Sequence, residues 1–315
     1  MQRIGFVVFE GFQSMSFAAL SVFEYANVMM GKPIYEMHFI SEKGGLVRSS
    51  TGMVVDSKPY GKATYDTVIV GGGAAILEHA PTALLDFIRK AAKTSRRIAS
   101  ICTGTFILAE AGILDGKRAT THWLYARNLQ KRFPNVKMEE DRIFIIDGNV
   151  WTSAGMTAGI DLALAMAEKD LGSDTTRSIA QKLVIYHRRA GGQSQHSALL
   201  ELAPKSDRIQ NALVYAKKNL KTALSVEQLA KAANLSPRQF SRAFRAETGQ
   251  SPAKAVENLR LEAARLMMEQ TRHSLDEVAQ EAGFGDRRRL RESFLRAFGQ
   301  PPQTIRRNAR EEAMA

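Results

Sequence analysis

The last third of the chain carries one motif twice. Residues 225–252 read SVEQLAKAANLSPRQFSRAFRAETGQSP, and residues 274–302 read SLDEVAQEAGFGDRRRLRESFLRAFGQPP. The offset is 49 residues as far as Leu235 and Phe284 and 50 from Phe240 and Leu290 onward, so the second copy holds one extra residue in its turn. Self-similarity on this scale means that one small supersecondary unit is used twice.

The unit reads as helix, tight turn, helix. In the first copy Ser225 is a helix cap, and Val226, Leu229, Ala230 and Ala233 recur at the helical period. After the turn Asn234-Leu235, Ser236 caps a second helix, with Pro237 at its first position and Gln239 closing a capping box. Phe240 and Phe244 lie one turn apart on its buried face, and Gly249 before Pro252 stops it. Arg238, Gln239, Ser241, Arg242 and Arg245 are left exposed. In the second copy Asp286 is the cap, Leu290 and Phe294 form the buried pair, and Arg287, Arg288, Arg289 and Arg291 crowd the first turn and a half. A guanidinium fork pairs with guanine edges or with phosphates. A short helix with such a face behind a tight turn is the layout of a helix-turn-helix reader. Between the copies, residues 252–269 keep a helical rhythm with no internal Gly or Pro. At about 1.5 Å per residue they span roughly 27 Å, near the ~34 Å turn of B-DNA.

SPRQFSRAFR, the linker string LRLEAARLMM, and the GFG and AFGQPP of the second copy agree in order and spacing with the AraC/XylS-type DNA-binding domain, which residues 207–310 resemble. The resemblance implies double-stranded DNA as partner, read in two adjacent major-groove segments, with RNA polymerase as a further partner. One position departs. Where copy one has Arg242, copy two has Glu292, and the small polar residues usual in the second reading helix are arginines. Sequence discrimination is therefore expected chiefly from Arg238, Gln239 and Arg242, with the second unit serving more as a phosphate anchor.

Charge agrees with a nucleic-acid partner. The formal net charge is +12; residues 205–315 hold 21 Lys and Arg against 13 Asp and Glu, while the longer remainder holds 23 against 19. Such an excess favours polyanions through counterion release. At 315 residues the chain exceeds one ordinary core, so two domains are expected. The single cysteine, Cys102, excludes an intramolecular disulfide and fits a reducing compartment. The chain opens on IGFVVF without a basic, cleavable leader, and no apolar run has the length of a bilayer span. A cytoplasmic protein without membrane contact is the expectation.

The first 190 residues alternate apolar strands at 4–9, 35–40, 67–70, 98–101 and 143–146 with helices at 17–30, 82–94, 105–111 and 159–171, which predicts a largely parallel sheet covered on both faces. Ligands of such sheets bind beyond the carboxyl ends of the strands. Two segments fall there. Gly71-Gly72-Gly73 follows the strand TVIV, and in IASICTGTFILAEAGIL Cys102 stands between a strand and a helix, as at a nucleophile elbow. A helix N-terminus favours a thiolate; His122 is its candidate partner, and the backbone of Gly72 and Thr103 its candidate oxyanion donors. His38, His79, His187, His196 and His273 are scattered, so no metal is expected. The glycine run lacks the G-x-G-x-x-G spacing of phosphate-cradling loops, and no cofactor is expected.

VGGG, the elbow ICTGTFILAEAGIL followed by DGKRATTHW, and IDGNVWTSAGMTAGIDLALAMAEKDLG resemble the ThiJ/PfpI branch of the class I glutamine amidotransferase-like fold over residues 3–190. The resemblance implies an acidic residue in the loop after the first strand. Here that loop reads EGFQSMSFAAL and puts Ser16 at the acidic position, with Glu10 as the substitute, and Thr103 stands where protease-like members have histidine. Both departures argue against turnover and leave Cys102 as a vestigial nucleophile position.

A ThiJ/PfpI-like domain before an AraC-type domain is a known combination among bacterial regulators, some of which sense quaternary amines or amino acids, and the join YHRRAGGQSQHS at 186–197 is typical of them. The expected architecture is an α/β flavodoxin-like parallel-sheet domain at 1–190, a linker at 191–206, and an all-α tandem helix-turn-helix domain at 207–315. The leading expectation is a homodimeric transcription regulator whose first domain binds a small effector, an amine or amino acid, at Glu10, Ser16, Phe17, Gly72, Gly73, Cys102, Thr103, His122 and Trp123. Phe17, Trp123 and Trp151 would form an aromatic wall suited to a cation. The rival expectation is a cysteine-dependent hydrolase, hydratase or lyase fused to a DNA-binding domain.

Overall fold

The computed structural model describes residues 1–61, 63–74, 79–185, 189, 191, 195, 202, 204–271 and 273–307, apart from the side chains of 269 and 270. The chain divides into two compact units, Met1–Gly191 and Gly192–Met314. Most of the 186–197 join, His187 and His196 included, lies outside the described residues.

The first unit is built on an eight-stranded sheet. Six strands are parallel: β1 (Gln2–Val7), β2 (Tyr35–Ser41), β4 (Val54–Pro59), β5 (Thr67–Val70), β6 (Arg97–Ile101) and β10 (Val150–Ser153). The edges, β3 (Gly45–Arg48) and β9 (Phe144–Asp147), run antiparallel, and the order is β3-β4-β2-β1-β5-β6-β10-β9. A small second sheet pairs β7 (Arg118–Ala119) with β8 (Lys137–Met138). Successive residues of a strand face opposite sides. Ile4, Phe6, Ile69, Ala99 and Ile101 therefore join the core under α1 (Leu20–Met30), α5 (Met156–Leu171) and α6 (Ser173–Lys182), while Val7, Val68, Val70 and Ile98 join the core under α2 (Thr82–Thr94) and α3 (Gly104–Glu110). Leu129 of α4 (Trp123–Arg132) extends the second core.

Three expectations change. The helix expected over 17–30 is a 3-10 turn, Ser14–Ala19, followed by α1, because the residues after β1 are used first to cover the sheet's carboxyl edge. The strand expected at 143–146 reaches the sheet only as the outer arm of a hairpin through β10. The hairpin β3–β4 and the helices α4 and α6 are additional elements.

Among its described residues the second unit has helices and no strand: α7 (Asp207–Lys218), α8 (Val226–Ala232), α9 (Pro237–Thr248), α10 (Pro252–Gln270), α11 (Leu275–Glu281) and α12 (Arg287–Phe298). Ile209, Leu213, Leu229, Phe240 and Phe244 form one core, and Val278, Leu290, Phe294 and Ile305 the other. The long α10 supplies Val256 and Leu259 to the first and Leu261, Ala264 and Met268 to the second, so a single helix belongs to both motifs.

Candidate functional site

The two reading helices are set by matching local devices. Ser225, Ser236 and Ser274 each accept from the third backbone N–H of their helix while Gln228, Gln239 and Glu277 return the bond, three capping boxes in all. Asp286 caps α12 through the Arg289 N–H at 2.8 Å. The turns differ as the register foretells. Asn234 turns the first motif in a left-handed conformation (φ +53), Gly283 does so in the second (φ +81), and the inserted residue is Gly285, also left-handed (φ +81). Left-handed αα reversals close both reading helices at Gly249 and Gly299.

Phe240 and Phe244, and Leu290 and Phe294, are fully buried, which turns the opposite faces of α9 and α12 to solvent. Arg238, Arg242, Arg245, Arg287 and Arg291 are exposed and make no ion pair among the described residues. Arg288 lies 3.9 Å from Glu292, and Arg289 3.5 Å from Asp286. Two expected readers are less open than the sequence implies: the Gln239 carbonyl oxygen accepts from the Ser236 N–H and hydroxyl, and Ser241 is half-buried.

Sequence reasoning missed what fixes the two motifs relative to each other. Arg260 of α10 donates to the carbonyls of Leu220 and Thr222 at 3.1 and 2.7 Å, and burial lowers the pKa of its guanidinium. Glu257 accepts from Ser293 (3.1 Å) and Arg296 (2.8 Å) of α12. Lys221 pairs with Glu281 across the motifs at 2.6 Å. Gly283 presses on the Leu220 carbonyl so closely that a Cβ would overlap its oxygen. A cleft of about 310 Å³ remains between the motifs, bordered by Val256, Glu257, Arg260, Phe284, Glu292 and Arg296.

In the first unit, the loops after β1, β5 and β6 converge. Phe12 bridges to Gly73, and the Gln13 N–H donates to the Gly72 carbonyl at 2.8 Å. Cys102 holds a left-handed conformation (φ +58), the strained elbow the sequence suggests, with its N–H shared between the Ser153 and Ala154 carbonyls. Its own carbonyl accepts from Thr121 Oγ1 (2.7 Å) and Thr105 Oγ1 (3.1 Å). The side chain is only 3% exposed. Burial pushes the thiol pKa up, with hydrogen bonds from Thr103 offsetting part of the rise. The lowered thiol expected from the helix N-terminus is thus not what the site provides, because desolvation outweighs the local N–H groups.

The expected ligand residues separate into two sets. Ser16, Gly72, Gly73, Cys102 and Thr103 come together: the Gly72 N–H donates to Ser16 Oγ at 3.3 Å, the Gly73 N–H to Thr103 Oγ1 at 3.0 Å, and a Cβ on Gly72 would stand 3.3 Å from that of Cys102. Of the backbone donors expected at Gly72 and Thr103, the Gly72 N–H therefore already has an acceptor, and the Thr103 backbone hydrogen-bonds Cys102. Others point elsewhere. Glu10 is exposed and accepts from the Arg48 N–H at 3.4 Å. Phe17 packs on Phe6, Phe12 and Phe39. The Nδ1 of His122 caps α4 by accepting from Leu124, and its ring stacks on Trp123, which is 48% exposed. Trp151 is buried under Arg97 and Lys169. The aromatic wall expected from Phe17, Trp123 and Trp151 is replaced by three separate packings. The residue the sequence did not reveal is Gln13, whose side-chain oxygen is buried with no hydrogen-bond partner among the described residues and would meet a Cβ on Gly72 at 2.7 Å.

Comparison with known proteins matches both units. A model of the DJ-1/PfpI family covers residues 2–169, and a helix-turn-helix domain model covers residues 229–308. The chain is 32% identical to the HTH-type transcriptional regulator GbdR of Pseudomonas aeruginosa, over 97% of this chain and 84% of that protein. The isonitrile hydratase of Pseudomonas putida is 36% identical over 190 residues, which are 58% of this chain and 77% of the enzyme. The crystal structure of an AraC family transcriptional regulator from Pseudomonas putida superposes with a TM-score of 0.51 at 20% identity, over 58% of this chain and 100% of its own, a likeness of fold. The chain belongs to the HTH-type transcription regulators in which a DJ-1/PfpI domain precedes an AraC-type helix-turn-helix domain.

Proposed function

We propose that the first unit is a sensor without turnover, binding a small effector, an amine or amino acid, beside Gln13, Gly72, Cys102 and Thr103, and that the second unit transmits its state to DNA. The observation that carries this reading is the burial of Cys102, which pushes its thiol pKa up, beside Gly72 and Gly73 N–H groups that already donate to Ser16 and Thr103. A nucleophile needs a thiolate and open oxyanion donors. In the same reading the protein works in the cytoplasm as a homodimer, and contacts RNA polymerase from promoter DNA. Arg238, Arg242 and Arg245 reach base edges, with Gln239 and Ser241 in supporting contacts, while Arg287, Arg288, Arg289 and Arg291 hold phosphates.

A second reading keeps the cysteine chemistry, as a hydrolase, hydratase or lyase. The likeness to isonitrile hydratase and the left-handed elbow at Cys102 favour it. Alkylation separates the two. The sensor reading expects slow reaction of Cys102 with iodoacetamide at pH 7.5, and unchanged DNA binding in Cys102→Ala. Rapid alkylation, together with an isonitrile-hydrating activity that Cys102→Ala abolishes, would establish the enzyme instead.

A further inference from the structure

We propose that Glu292 makes the second motif a reader of cytosine, so that the two halves of the operator present a G·C pair in opposite strand orientations. This rests on the membership of the chain among DNA-binding regulators and on both α9 and α12 entering the major groove.

The position comes from the repeat. With the offset of 50, Glu292 is the counterpart of Arg242. Each stands two residues after the first buried residue of its helix and two before the second, Phe240 and Phe244 in one case, Leu290 and Phe294 in the other. On a helix with 3.6 residues per turn that point is diametrically opposite the buried pair. Both side chains are exposed. A guanidinium and a carboxylate thus occupy the same place on two equivalent readers.

The chemistry at that place is narrow. An ionised carboxylate only accepts hydrogen bonds, and phosphates repel it. The donors on the major-groove edges are the amino groups of cytosine and adenine, and adenine sets an acceptor, N7, beside its amino group. A carboxylate facing adenine meets that lone pair, whereas cytosine offers its donor alone. Arg287, Arg288, Arg289 and Arg291 offset the negative charge as the helix approaches DNA, and Arg288, one turn earlier and 3.9 Å away, steadies the carboxylate. Arg242, at the matching point of the first motif, suits the acceptors of guanine.

Selection from a pool of randomised duplexes by the full chain at low ionic strength tests this, with the wild type beside E292A, E292Q and E292R. The wild type is expected to select cytosine at one position of the second half-site, on the strand that carries guanine at the equivalent position of the first. E292Q moves that preference to adenine and E292R to guanine. E292A loses discrimination there on the order of ten-fold. The first half-site stays unchanged in all three, which shows that the variants fold. A wild-type site with no cytosine at that position, or one that E292A leaves intact, overturns the proposal alone. Selection of no sequence by any of the four proteins overturns the regulator reading together with it.

Discussion

Two glycines in the turn of the second motif separate what backbone conformation costs from what space costs. Both hold φ +81, but a Cβ on Gly285 meets nothing within 4 Å, whereas one on Gly283 overlaps the Leu220 carbonyl. Gly285→Ala therefore carries only the left-handed penalty, about 1–2 kcal/mol. Gly283→Ala adds overlap, about 1–3 kcal/mol more, and pushes α11 away from the loop that Arg260 holds. Both tryptophans, Trp123 and Trp151, lie in the first unit, so tryptophan fluorescence does not report this change. Amide exchange does: residues 275–298 lose more protection in Gly283→Ala than in Gly285→Ala, and equal losses would contradict the packing described. None of this is legible in the string of residues. Gly283 reads as a helix-ending glycine in either case, and its neighbour Leu220 is 63 residues away. Gln13 is hidden for the same reason, since its setting comes from a backbone pairing with Gly72.

The elements divide by how much of their design is local. Helices α8, α9, α11 and α12 announce themselves because caps, buried pairs and a left-handed stop, Asn234 after α8 and a glycine after each of the others, all sit within a dozen or so residues of one another. By contrast α4 buries only Ala126 and Leu129, and α6 only Thr176, Ile179 and Ala180, too little apolar rhythm to mark a helix. Strand β10 is four residues, VWTS, two of them polar, and becomes a strand because β6 and β9 flank it. The reading helices also predict a division of labour. Arg238→Ala and Arg242→Ala should each weaken binding to a selected site by about 1–3 kcal/mol and relax one base preference. Arg287→Ala and Arg291→Ala should weaken all sequences alike and reduce the salt slope by about 1 each. Titrations at several salt concentrations, on a selected and an unrelated duplex, distinguish the two patterns; a uniform loss from Arg242→Ala would contradict the assignment of α9.

For the whole molecule, the largely parallel sheet and the tandem motif were both legible, since each rests on patterns repeated along the chain, whereas the strand order and the contents of the proposed sensor site were not, since they depend on which segments meet. The proposed site is a cysteine elbow whose carbonyl accepts from two threonines, with the buried Gln13 oxygen beside Gly72, and the proposed reader carries arginines that make no ion pair among the described residues. An effector alters DNA affinity only by binding two states of the protein unequally, so coupling shows as an effector-dependent change in occupancy. The central claim is that this chain reads specific DNA sites through two helix-turn-helix motifs. Genome-wide footprinting of the tagged full chain, beside its Arg242→Ala variant, tests it most directly. Discrete sites sharing a two-part motif with halves about one helical turn apart, lost or degraded in the variant, are the predicted result. Diffuse coverage with no shared motif, the same in both proteins, would contradict it.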